Sequence, residues 1–159
     1  GQIGTIDLKG ENIFRGDWGM EEKTKESFKD DGFFITGDLA KKDENGYFTI
    51  VGRDKDMIIS GGLNVYPKEI EDVINELPNI TESAVFGVQH DDFGEAVVAA
   101  VVTTDDKNDG SQILDYTKDK IAKYKQPKKI IFMSNLPRNS MGKVQKNKLR
   151  ENNKSLFKS

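Results

Sequence analysis

Apolar and polar positions alternate in short stretches over the first fifty residues. Ile3, Thr5, Ile6 and Leu8 read as a strand, and Phe33 to Thr36 as a second, more apolar one. Residues 21–28 read as a short helix between them. Asn45-Gly46 precedes Tyr47-Phe48-Thr49-Ile50-Val51, and predicts a hairpin with a two-residue turn. The rhythm then changes. Met57-Ile58-Ile59 and Asn64-Val65-Tyr66 read as strands around a tight Ser60-Gly61-Gly62 turn. Ile70, Val73, Ile74 and Leu77 recur at helical spacing, with Pro67 in the first turn and Pro78 past the end. Strands follow over 83–88 and 96–103, the second apolar on both faces and hence central. A helix capped by Ser111 and running to about Tyr124 comes next, then a strand over 129–133, a loop over 134–142 and a short helix over 144–152.

This order predicts an α+β chain in two parts. Residues 1–53 are the β-rich end of one domain. Residues 54–159 form a small domain: a short β-hairpin plus a three-stranded sheet with helices. Arg53-Asp54-Lys55 is the candidate hinge.

Composition removes several chemistries. With no Cys there is no disulfide, thiolate metal site or cysteine nucleophile, and a single His90 cannot build a multi-histidine centre. The longest apolar run, residues 96–102, is far short of the roughly 20 residues of a membrane helix, and no signal pattern opens the chain. A cytoplasmic location is expected. The opening Gly-Gln-Ile-Gly lacks an initiator Met and reads as the interior of a longer protein. Charge is uneven: from Ser111 onward 13 Lys and Arg face 3 Asp and Glu, within an overall net charge of -3. Such a tail fits an anionic partner, an acidic face of the same protein, or a solvated surface.

Several motifs carry candidate chemistry, each beside a plainer reading. Asp38, closing an apolar strand, can accept hydrogen bonds from the vicinal hydroxyls of a ribose, or satisfy a turn. Arg53 and Lys55 alternate with acids between two strands, as a ligand-binding set or a salt-bridged surface. Ser60, Gly61 and Gly62 leave a backbone without a side-chain wall, open to a long thin ligand or simply turning. Lys143, next to a flexible Gly142, can swing toward an anionic reaction centre or remain an exposed lysine. Residues 105–110 look superficially like a calcium loop, but Lys107 and Tyr116 occupy positions that need oxygen ligands.

In order, Ile35-Thr36-Gly37-Asp38, then Gly52-Arg53-x-Lys55-Asp56-x-Ile58-x-x-x-Gly62-x-Asn64-Val65-x-Pro67-x-Glu69-Ile70-Glu71, then Pro137-Arg138-x-x-x-Gly142-Lys143 resemble the adenylate-forming acyl-CoA synthetase superfamily. Residues 32–39 (GFFITGDL), 61–71 (GGLNVYPKEIE), 92–95 (DFGE) and 136–146 (LPRNSMGKVQK) resemble its malonyl-CoA synthetases. Asp17 departs from the Tyr usual in the family before Trp18. The resemblance implies the end of a large N-terminal domain followed by a small mobile lid. It implies that Asp38 binds the ribose of ATP, with Arg53 assisting. Lys55 would be the hinge. Lys143 would be the catalytic residue, meeting the substrate carboxylate and the α-phosphate. Ser60, Gly61 and Gly62 would flank the CoA pantetheine tunnel. It further implies ATP, CoA and Mg2+, with the magnesium ligands, phosphate loop and acyl pocket upstream in a missing N-terminal domain, so that this piece alone is inactive. We add from charge that Lys118, Lys120, Lys123, Lys125, Lys128 and Lys129 attract the CoA phosphates.

The resemblance implies malonate as the acid, with short- to long-chain fatty acids, aryl acids and transfer to a carrier protein as alternatives. A nucleic-acid-binding module would also use the basic tail, but no aromatics are interleaved with those lysines as a single-strand binder requires.

Overall fold

The computed structural model describes residues 2–105 and 109–158. Positions 106–108 of the rejected calcium loop lie outside the described residues. The chain divides into two compact units, Gly1–Lys55 and Asp56–Ser159. A single 3₁₀ turn over Asp54–Asp56 spans the division. Among the described residues no helix is long and apolar enough to cross a membrane.

The first unit is a three-stranded antiparallel sheet in the order β1 (Ile3–Leu8), β2 (Phe34–Lys42), β3 (Phe48–Arg53). Helix α1 (Glu21–Glu26) lies between β1 and β2 in sequence. It stops two residues short of the expected Phe28, because Phe28 leaves the helix to bridge Phe34. Phe14, Phe28 and Phe34 then pack as a ring cluster with centroids 5.1–5.7 Å apart. Among the described residues of this unit only Leu39 and Ala40 are buried, and Trp18 is fully exposed. The β2–β3 hairpin also differs from the two-residue turn expected. Asp43 N–H donates to Tyr47 O and Gly46 N–H to Asp43 O, while Asp43 Oδ1 accepts from the backbone N–H of Asn45 and Tyr47. Only Gly46 takes positive φ, at 90°. The aspartate side chain holds a wider three-residue loop that needs one left-handed residue rather than two.

The second unit is a five-stranded mixed sheet. Strands β4 (Ile58–Ser60), β5 (Leu63–Val65), β6 (Ile80–His90) and β7 (Gly94–Thr103) lie in the order β5-β4-β7-β6, and β8 (Lys129–Phe132) runs parallel to β7. The hairpin is thus joined to the larger sheet, through the pairing of Ser60 with Gly94. Strand β7 is central, as its two apolar faces require.

Alternation along β6 and β7 sends side chains to two cores. Val85, Val97, Ala99 and Val101 meet Ile70 and Ile74 of α2 (Pro67–Ile74) and Ile113 of α3 (Ser111–Lys118). Ala84, Phe86, Val88, Val98 and Ala100 meet Leu149 of α4 (Lys146–Asn152) on the other face.

Three helix ends depart from the sequence reading. Gly110, left-handed at φ 87°, is the N-cap of α3, and Ser111 is its first helical residue, donating through both N–H and hydroxyl to Asp109 Oδ1. The same helix ends at Lys118, where the Gln126 amide donates to the carbonyls of Lys118 and Ile121. Helix α4 starts at Lys146 because Val144 is held in a bridge to Arg138.

Phe86 is the largest fully buried side chain. Phe86→Ala should lower unfolding stability by about 3–5 kcal/mol, read as a fall in the urea midpoint at unchanged slope. A loss under about 1 kcal/mol would place that ring outside a packed core.

Candidate functional site

Asp38 and Arg53 face each other across β2 and β3. Arg53 Nε lies 2.7 Å from Asp38 Oδ1, and its Nη1 donates to Thr36 O at 3.3 Å. Thr36 Oγ1 accepts from Asp38 N–H at 3.0 Å and donates to Ile6 O on β1. The carboxylate is thereby fixed from three strands. Gly37 has φ 71°, a backbone that most side chains resist. A carboxylate so held presents acceptors to a pair of vicinal hydroxyls without losing further side-chain freedom.

At the β4–β5 turn Gly61 and Gly62 both have positive φ, 59° and 77°, and Ser60 pairs directly with Leu63. This is the tight two-residue form that demands left-handed residues at both positions. A Cβ on either glycine would meet nothing within 4 Å, so the turn is open. Gly61 N–H donates to Phe93 O at 2.8 Å, and Ile59 N–H to Glu95 Oε2 at 2.8 Å. Ser60 itself is buried in the strand below the turn. Glu95 escaped the sequence reading as a functional support. Its signal is Gly87, where a Cβ would come within 2.5 Å of Glu95 Oε1.

Lys143 follows a second aspartate-type turn, here built on an asparagine. Asn139 N–H donates to Lys143 O, Gly142 N–H to Asn139 O, and Asn139 Oδ1 accepts from Met141 and Lys143 N–H. Arg138 donates to Gly142 O at 2.6 Å and pairs with Glu82. Gly142, at φ 78°, closes this turn from the left-handed region. The freedom lies in the Lys143 side chain, which is exposed and has no hydrogen bond or ion pair among the described residues.

The basic set proposed for CoA phosphates is partly committed elsewhere. Lys118 pairs with Asp115, Lys120 with Glu76 and Lys125 with Glu69. Donating to the Glu76 carboxylate raises the Lys120 pKa, and accepting from Lys120 lowers that of Glu76. Burial disfavours the charge on Lys125, but Glu69 outweighs it and the pKa rises. Lys128 differs: its ammonium stands 5.2 Å from the centroid of Phe93, beside the glycine turn. The candidate residues thus fall into three groups: Asp38 with Arg53 in the first unit, and the glycine turn and Lys143 apart in the second. No group of three or more His, Asp or Glu that could hold a metal occurs among the described residues.

Residues 69–143 match the AMP-binding enzyme C-terminal domain. Over those residues the chain carries an AMP-binding enzyme C-terminal domain. Its relatives are acyl-CoA ligases. It is 43% identical over 93% of its length to the long-chain-fatty-acid–CoA ligase FadD13 of Mycobacterium tuberculosis. It is 41% identical over 95% to the indoleacetate–CoA ligase of Aromatoleum aromaticum. The crystal structure of ATP-bound MatB from Rhodopseudomonas palustris superposes with a TM-score of 0.90 at 57% identity, over 99% of this chain and 32% of that one. The chain covers 29% and 30% of the two ligases.

Since a Cβ on Gly142 meets no atom within 4 Å, Gly142→Ala tests backbone strain alone. It should cost about 1–2 kcal/mol in urea unfolding, and Gly142→Asn less, because asparagine tolerates the left-handed region. No loss for alanine would remove the turn geometry assigned to Lys143.

Proposed function

We propose that this chain is the C-terminal part of an ATP-dependent acid–thiol ligase, with malonate as its acid. In the first half-reaction a carboxylate oxygen attacks the α-phosphate of ATP, the bond to pyrophosphate breaks, and an acyl-adenylate forms. In the second, a CoA thiol attacks the acyl carbonyl, loses its proton, and AMP leaves.

The first step brings two anions together. Lys143 offsets that charge as a movable cation, and Asp38, steadied by Arg53, holds the ribose through both steps. ATP and CoA are substrates here. The magnesium that accompanies ATP would draw on the ATP phosphates and one or two carboxylates, which the family resemblance puts upstream of this chain.

The observation that carries this reading is the separation of the two tools of the second unit. Arg138, beside Lys143, pairs with Glu82 near the start of β6. The Gly61-Gly62 turn bonds to Phe93, just past the end of β6 at His90. Eight residues of strand hold these ends roughly 25 Å apart. One reaction centre cannot be touched by both at once. A domain that presents first Lys143 and then the glycine turn, rotating at Lys55, uses both. Lys128, at the glycine end, is the lysine we assign to the CoA phosphates.

Malonate is favoured by the stretches that resemble malonyl-CoA synthetases, and by an identity to MatB that exceeds the identity to FadD13. A phosphopantetheine arm on a carrier protein would reach the same turn, and thioester assays with CoA against carrier protein separate the two acceptors.

In the full-length protein, Lys143→Ala should slow acid-dependent pyrophosphate release by about 10²–10³-fold. Thioester formation from supplied acyl-adenylate should be largely spared. Equal loss of both steps would contradict the role. Pyrophosphate release with fatty or aryl acids but not malonate would correct the substrate.

A further inference from the structure

The helix that follows the Lys143 turn is anchored by two cations spaced one turn apart. Lys146 and Arg150 stand four residues apart on α4 and so share a face. Lys146 Nζ lies 2.6 Å from Glu71 Oε1, with the two side chains only 16% and 13% exposed. The same oxygen accepts from Val85 N–H at 2.7 Å. Val85 belongs to β6, which has a strand neighbour on one side only. Glu71 therefore reaches the open edge from α2 on one face of the sheet, and Lys146 meets it there from α4 on the other.

Arg150 makes the second contact. Its Nη2 lies 3.2 Å from Asp56 Oδ1, and both side chains are partly buried. Asp56 is the first residue of the second unit and the immediate neighbour of Lys55. One short helix thus grips the residue beside the joint and, through Lys146, the frame of the domain.

The helix needs such contacts. At seven residues it is too short to be stable alone, its N-cap Gln145 makes no side-chain capping bond, and Leu149 is its one buried residue. Without the ion pairs it could pivot about Leu149. A pivot would shift the adjoining Lys143 turn, and a misplacement of about 1 Å at a reaction centre can cost 10²-fold in rate.

We propose that the Asp56–Arg150 contact, braced by Glu71–Lys146, is a positioning device. It locks the Lys143 turn to the joint, so that rotation at Lys55 carries Lys143 as part of a rigid body. Arg150 and Asp56 touch no reactant in this scheme. The inference rests on the roles proposed above for Lys143 and Lys55.

The test uses the full-length protein and measures the two half-reactions separately, with the urea midpoint beside them. Arg150→Gln and Asp56→Asn should each slow pyrophosphate release by about tenfold to a hundredfold. Both should leave thioester formation from supplied acyl-adenylate within about twofold, a split that general destabilisation would not produce. The charge exchange Asp56→Arg with Arg150→Asp should recover most of the first half-reaction. Should Arg150→Gln fail to fold, the near-isosteric Asp56→Asn carries the same test. Parallel losses in both half-reactions, no loss in either, or no recovery on exchange would overturn the proposal. Lys143→Ala in the same assays separates the two levels. If it cripples pyrophosphate release while Arg150→Gln does not, only the positioning claim falls. If Lys143→Ala changes nothing, the proposed function falls as well.

Discussion

The antiparallel pairing of β6 with β7 is the constraint on which the second unit depends. Its register runs from Ile80 opposite Thr103 to His90 opposite Gly94, with one irregularity between Ile80 and Glu82. Both faces are covered, by α2 and α3 on one side and α4 on the other. A strand pair buried on both faces is stiff, because a slip of one residue would exchange its two sets of side chains between the cores. That stiffness fixes the span between the two ends. The glycine turn is bonded to one end through Phe93, and the Lys143 turn to the other through Glu82. A soft sheet would let the two turns drift toward a common place; a stiff one keeps them apart.

Much of this was legible because it depends on local spacing. The apolar run of β7 announced a central strand, and Ile70 and Ile74 announced the buried face of α2. Gly61-Gly62 announced its turn, since only glycine takes two successive left-handed residues cheaply. What was not legible depends on side chains distant in sequence. Asn45-Gly46 looked like a two-residue turn because the competing device, the Asp43 carboxylate accepting two backbone N–H groups, sits outside the dipeptide. The same device recurs at Asn139, with Gly142 in the place of Gly46 and Lys143 in the place of Tyr47. A glycine three residues after Asp or Asn is the signal that would have found both. The end of α3 was misread for a similar reason. Its periodicity continues, but the Gln126 amide supplies donors to the freed carbonyls and stops it at Lys118. Of the candidate site, the residue types and their order were readable. That Arg53 braces Asp38 directly, and that Glu95 supports the glycine turn, required the fold.

The first unit sets a different energetic condition. A three-stranded unit with only two buried apolar residues among those described cannot offset the entropy of its own ordering by burial alone. Its exposed Phe14, Phe33, Ile35, Tyr47, Phe48 and Ile50 are the residues expected of a sheet that shares a larger core. Asp38 and Arg53 sit on this sheet, so their rigidity rests on few buried contacts, whereas the Lys143 turn draws its rigidity from the second unit's own sheet and helices.

The charge asymmetry is answered by the same packing. The excess of cations after Ser111 reads first as an appetite for anions. In the folded second unit Lys125, Lys120, Arg138, Lys146 and Arg150 instead meet Glu69, Glu76, Glu82, Glu71 and Asp56, all from its earlier part. Five of the thirteen late cations thus fasten late chain onto early chain. Net charge overstates the positive potential open to solvent, because the paired cations and their acids largely cancel at a distance. What escapes the cancellation carries more meaning than the sum. Lys143 keeps its ammonium free at one end of the sheet, and Lys128 stands over Phe93 at the other. Lys123, Lys129, Lys148 and Lys158 also lack an ion pair among the described residues, so the folded unit cancels about half of its late cations and leaves the rest to solvent.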